Sequence, residues 1–107
     1  MGWFGYNLDM KIQVPQEKIE EFCKKYFIIK LSFFGSVLRD DFHENSDIDV
    51  LVEFDKEHSP GLIRFAGMEI ELTNLFNKKV DLRSPGDLSR YFRDEVVRNA
   101  KPFYVQR

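Results

Sequence analysis

The 107-residue sequence predicts an α+β fold, a small mixed β-sheet with helices packed on it. Three observations lead there. Apolar residues recur at helical spacing in three segments, Pro15–Tyr26, Pro60–Phe76 and Ser84–Ala100. Between them lie short apolar runs with strand character, Phe27–Phe34, Asp47–Phe54 and Lys79–Arg83. The composition, 43% hydrophobic and 32% charged, is that of an ordinary globular domain, and no apolar run approaches a membrane span.

Met1 to Val14 shows no clear period and is read as an N-terminal extension of a single domain covering 1–107. Pro15 suits the first turn of a helix that continues to Tyr26. Ile19, Phe22, Cys23 and Tyr26 fall on one face of it. Phe27–Phe34 is too apolar for a half-exposed strand and is expected in the middle of the sheet. Gly35-Ser36 ends it, Val37-Leu38-Arg39 fits a short helical turn, and Asp40–Ser46 reads as a loop.

Asp47–Phe54 is the second strand. Ser59-Pro60 then predicts a helix start, with Ser59 as N-cap and Pro60 in the first helical position. Phe65, Met68, Leu72, Leu75 and Phe76 form its core stripe. Lys79–Arg83 is a short strand with Val80 and Leu82 on one face and Asp81 on the other. Ser84-Pro85-Gly86-Asp87 resembles a capping box opening the last helix, with Leu88, Tyr91, Phe92, Val96 and Ala100 as its apolar face. Pro102 stops that helix, and Phe103–Val105 is expected as an edge strand.

Chemistry concentrates between Phe33 and Phe54. Strand side chains alternate, so Asp47 and Asp49 share one face while Ile48, Val50 and Val52 take the other. Adjacent carboxylates repel unless a proton or cation lies between them, which makes the pair a site for a divalent ion such as Mg²⁺. Aspartate is disfavoured in strands, so two in one apolar strand need a reason; solvated acids on a strand edge are the plainer one. If the Asp81 strand lies beside the Asp47–Asp49 strand, three carboxylates converge, enough to hold two Mg²⁺ ions at a phosphoryl centre.

Gly35 permits close backbone approach, and Ser36 offers a hydroxyl near exposed N–H groups, a setting that suits phosphate. Arg39 could neutralise phosphate charge or pair with Asp40 or Asp41. Ser46 could serve a phosphate or its own turn. His43 and His58 read as surface residues, and no zinc spacing or Ser-His-Asp order is present.

Charge is uneven. Eight acids face two bases from Arg39 to Glu57, whereas six bases face three acids from Arg83 to Arg107. An acidic centre beside a basic tail fits a metal site next to a triphosphate, though most of these charges are simply solvated. Cys23 cannot form an internal disulfide, and the first ten residues lack a signal-peptide pattern. A cytoplasmic, non-membrane setting is expected.

Gly35-Ser36, ten residues, then Asp47-x-Asp49 resembles the signature of the polymerase-β-type nucleotidyltransferase superfamily. Phe34–Phe42, Ser46–Phe54, Pro60-Gly61-Leu62, Val80-Asp81-Leu82 and Tyr91–Val96 resemble its minimal nucleotidyltransferase (MNT) members, and the likeness runs from about Pro15 to Tyr104. The resemblance implies a polymerase-β-like nucleotidyltransferase fold. It implies Mg²⁺ on Asp47, Asp49 and Asp81, nucleotide phosphates at Gly35 and Ser36, and ATP as donor of AMP. It also implies an antitoxin that neutralises a HEPN ribonuclease toxin by binding it or by adenylylating a tyrosine on it.

A chain this short leaves little surface for a small-molecule acceptor, so a macromolecular partner is expected. The basic last helix, with Arg90, Arg93 and Arg98, is one candidate contact. Charge alone does not choose between an acidic protein face and a nucleic acid. An occluding antitoxin without chemistry, or a transferase acting on a small molecule or RNA end, are the alternatives, and assembly state is open.

Overall fold

The computed structural model describes residues 15–35 and 47–106. The N-terminal extension, the turn expected at Val37–Arg39 and the loop expected at Asp40–Ser46 lie outside them.

Helix α1 spans Gln16–Lys25 and buries Ile19, Phe22 and Cys23, as the spacing predicts. Glu17 in its first turn and Lys24 and Lys25 in its last complement the helix dipole. Pro15 is the N-cap rather than the first helical residue. Phe27 ends the helix in the left-handed region (φ 59°) and stacks on His58 at 3.8 Å. Its carbonyl accepts from Asp55 N–H at 3.1 Å, which ties this turn to the far end of the second strand.

Strand β1 is Ile28–Phe34, and β2 is Ile48–Phe54. Helix α2 spans Leu62–Phe76, β3 is Val80–Arg83, helix α3 spans Arg93–Asn99 and β4 is Lys101–Val105. The sheet order is β3-β2-β1-β4. β1 is antiparallel to β2 and β4, whereas β2 and β3 run parallel, so the sheet is mixed and β1 is interior. β4 is an edge, as expected, and Pro102 lies inside it, where a missing N–H is tolerated.

One sheet face and two helices make the core. Ile28, Leu31 and Phe33 of β1, Ile48, Val50 and Val52 of β2, and Val80 and Leu82 of β3 pack with Ile19, Phe22, Met68 and Leu72. Phe65, Leu75 and Phe76 are partly buried against it, so the predicted α2 stripe holds. Each fully buried large apolar side chain contributes roughly 1.5–3 kcal/mol. The sheet's other face carries the polar members of the same strands.

Two other helix starts also differ from expectation. Ser59 does not cap α2; it closes a 3₁₀ turn over Lys56–His58 that is begun by Asp55, whose carboxylate accepts from Glu57 N–H at 3.0 Å. A residue before proline is held extended, and α2 begins only after Gly61, whose carbonyl accepts the first helical bond, from Phe65 N–H at 2.9 Å.

The Ser84–Asp87 box is real but opens a 3₁₀ turn, Pro85–Asp87, and not the last helix. Ser89 then takes Tyr91 N–H on its hydroxyl and Phe92 N–H on its carbonyl, a local turn that competes with helix. α3 therefore starts at Arg93. Leu88 is buried as predicted, but Tyr91 is 87% exposed and Phe92 48%, so these two do not face the core.

Candidate active site

The site is built on the parallel pair β2–β3. Its register sets Ile48 opposite Val80, Asp49 opposite Asp81 and Val50 opposite Leu82. Register partners in a sheet point to one face, and Val80 and Leu82 are needed in the core. Asp49 and Asp81 are thereby turned to the polar face together. Asp47, two residues before Asp49, precedes β2 on that same side.

On the other side of β2, Phe34 is the register partner of Asp49. The next residue, Gly35, has φ +73°. A side chain on Gly35 would overlap Asp49 Oδ2 and come within 3.1 Å of its Cγ. The backbone conformation thus calls for glycine, and any side chain there would also have to displace the carboxylate beside it.

Two cations neighbour the acids. Arg83 donates from Nε to Asp81 Oδ1 at 3.1 Å and from Nη2 to Oδ2 at 3.4 Å. Lys79 Nζ lies 4.0 Å from Asp47 Oδ2. Sequence reasoning passed over both, although alternation along Lys79-Val80-Asp81-Leu82-Arg83 places the two cations on the face of Asp81.

Among the described residues, no three His, Cys, Asp or Glu side chains are drawn close enough to form a metal cluster. Asp81 is turned toward Arg83 instead, as expected where like charges repel and a cation is within reach. As a donor set, Asp47, Asp49 and Asp81 offer only oxygen, on two adjoining strands, which fits a hard divalent ion such as Mg²⁺. Gly35, Asp47, Asp49 and Asp81 are therefore brought to one end of the sheet. Ser36, Arg39 and Ser46 lie outside the described residues.

The Nucleotidyltransferase domain family model matches residues 16–104. The chain belongs to this family. A Methanocaldococcus jannaschii relative, provisionally named a protein adenylyltransferase, is 31% identical over 85% of this nucleotidyltransferase and 96% of its own length. Protein adenylyltransferase MntA of Thermococcus cleftensis is 32% identical, over 74% of this chain and 78% of its own. A solved structure provisionally described as a minimal nucleotidyltransferase superposes with TM-score 0.68 at 31% identity, covering 82% of this chain and 88% of the other. A toxin–antitoxin structure with AMP-PNP shares the fold at TM-score 0.71 and 22% identity, over 88% and 76% of the two chains. The α+β minimal-nucleotidyltransferase fold expected from the sequence is thus the one observed.

One smaller expectation also meets the structure. Cys23 is fully buried. No helix among the described residues is long and apolar enough to cross a membrane. Of the basic residues proposed as a partner contact, Arg93 donates from Nη2 to Leu88 C=O at 3.0 Å and so helps hold the turn before α3, whereas Arg90 and Arg98 are exposed.

Proposed function

We propose that this nucleotidyltransferase transfers AMP from ATP to a tyrosine hydroxyl of a HEPN-type toxin and so acts as its antitoxin. The observation that carries the reading is the facing of Asp49 and Asp81 across β2–β3, with Asp47 on the same side and Gly35 under Asp49. Support for the acceptor comes from relatives named protein adenylyltransferases, and from a toxin–antitoxin structure of the same fold that holds AMP-PNP.

In this reading Asp47, Asp49 and Asp81 would hold Mg²⁺, which would supply charge neutralisation at the phosphates. The chain's own residues position the reactants. Gly35 leaves the approach to Asp49 open, and with Ser36 offers backbone and hydroxyl groups to the β- and γ-phosphates. In this reading Asp81 takes the proton of the attacking hydroxyl as its oxygen bonds to the α-phosphorus and pyrophosphate leaves. Arg39 and Ser46 add positive charge and a hydroxyl beside the phosphates. The protein's share is positioning and electrostatics, with no covalent intermediate on the chain.

The test is intact-mass measurement of the protein encoded by the neighbouring gene, taken as the candidate toxin, after incubation with this protein, ATP and Mg²⁺. An added adenylate, absent with Asp47→Asn, supports the reading. Tight binding and loss of toxin activity without added mass replaces it with occlusion. Label on RNA ends with an unmodified toxin overturns the protein acceptor.

A further inference from the structure

β3 is an edge strand, and its outward N–H groups are each taken by a side chain. Ile48 N–H donates to Lys79 C=O at 2.9 Å, so Lys79 and Asp81 present their backbone groups to β2. Val80 and Leu82, the residues flanking Asp81, turn theirs away from the sheet. Val80 N–H donates to Thr73 Oγ1 at 3.1 Å, and Leu82 N–H donates to Glu69 Oε2 at 2.8 Å. The next outward donor, Ser84 N–H, is taken by Asp87 Oδ2 at 3.2 Å.

The match is one of repeats. Glu69 and Thr73 are one helical turn apart on α2, a rise of about 6 Å. Leu82 and Val80 are two residues apart on a strand running the opposite way, about 6.6 Å. Helix and strand thus engage at two successive points, and sliding β3 by one residue would break both bonds. Thr73 also receives, on its backbone carbonyl, the N–H of Asn77 and that of Lys78 at 3.2 Å, so the short α2–β3 connection is folded back on the same residue. Asn77 makes that reversal with a left-handed backbone (φ 54°).

We propose that Glu69 and Thr73 are positioning residues that hold β3 in register and so hold the Asp81 carboxylate opposite Asp49. This rests on the reading of Asp81 as a working carboxylate. Neither side chain is asked to touch nucleotide or metal. Each acts through the backbone on one side of Asp81. The same contacts close the β3 edge against pairing with another strand.

The test uses the full chain with Glu69→Ala, Glu69→Gln, Thr73→Val and Thr73→Ser, read by amide hydrogen exchange and by transfer kinetics. Leaving a part-buried N–H without an acceptor is expected to raise exchange at Leu82 about tenfold or more in Glu69→Ala, and likewise at Val80 in Thr73→Val. The rate at saturating ATP falls about tenfold in both, KM for ATP stays within about twofold, and half-saturating Mg²⁺ rises. Glu69→Gln and Thr73→Ser keep an acceptor oxygen and restore both readouts. Unchanged exchange at Leu82 and Val80 overturns the latch. Equal losses in Glu69→Gln and Glu69→Ala also overturn it, because charge and not acceptance would then matter. If Asp81→Asn keeps full transfer while exchange behaves as stated, the reading of Asp81 fails and, with it, the positioning role, but the register lock stands.

Discussion

The Asp49 carboxylate occupies the space that a side chain on Gly35 would need. A glycine at the end of β1 and an acid on β2 are thus one feature. Replacing Gly35 by alanine is expected to cost about 1–2 kcal/mol from the left-handed backbone alone. Displacement of Asp49 adds to that. Denaturant unfolding should show the loss, and nucleotide transfer should fall further than stability accounts for.

Asp47→Asn and Asp49→Asn are expected to abolish Mg²⁺-dependent transfer and leave the fold intact. Thermal melts with and without Mg²⁺ plus ATP check this. The wild-type shift should vanish in both variants, while the metal-free melting temperature of Asp47→Asn moves little, since the Asp47–Lys79 pair is exposed. A ligand-dependent shift that survives in Asp47→Asn would sink the metal assignment.

Asp81→Asn should reduce the rate much more than the affinity for nucleotide, the pattern of a group that works in the transition state. Full retained activity would leave Asp81 a structural partner of Arg83.

Arg83 neighbours Asp81 as a resident counter-ion, and both side chains are partly exposed. Arg83→Ala is therefore expected to change stability by less than about 1 kcal/mol. Removing a cation that competes for the carboxylate should lower half-saturating Mg²⁺ by up to roughly fivefold. A rise instead would place Arg83 on the nucleotide phosphates.

Alkaline pH should destabilise the fold. Burial, then the Glu20 carboxylate, push the Cys23 thiol from 9.0 up to about 12. The Glu71 carboxylate, accepting from Tyr26 Oη at 2.6 Å, raises the phenol from 10.0, and the same acid raises Lys25. Each folded-state value lies above its unfolded one. The stability they contribute is complete below about pH 9 and is lost as pH rises toward about 12. Melting temperatures across that window should fall, and fall less steeply in Cys23→Ala, which lacks the thiol. At neutral pH Cys23 should resist alkylation until the protein unfolds.

Much of this was legible in the residues alone. The helical spacing of Ile19, Phe22 and Cys23, and of Met68 and Leu72, marked the buried faces because a helix presents one stripe. Alternation set Asp47 and Asp49 against Ile48 and Val50, and Asp81 against Val80 and Leu82, because strand periodicity is local. Local signals failed where two of them competed. Ser59-Pro60 lost to the turn that Asp55 begins, and the Ser84–Asp87 box lost its helix to the Ser89 turn.

What the sequence by itself determined is therefore which face each acid takes on its own strand, since that depends only on neighbours along the chain. Which strands adjoin, and in what register, is a long-range matter, and α2 takes part in it where Thr73 and Glu69 bond β3. The meeting of Asp49 with Asp81, and the fit of Gly35 to Asp49, belong to the tertiary structure, because each joins residues that touch only after the sheet has assembled.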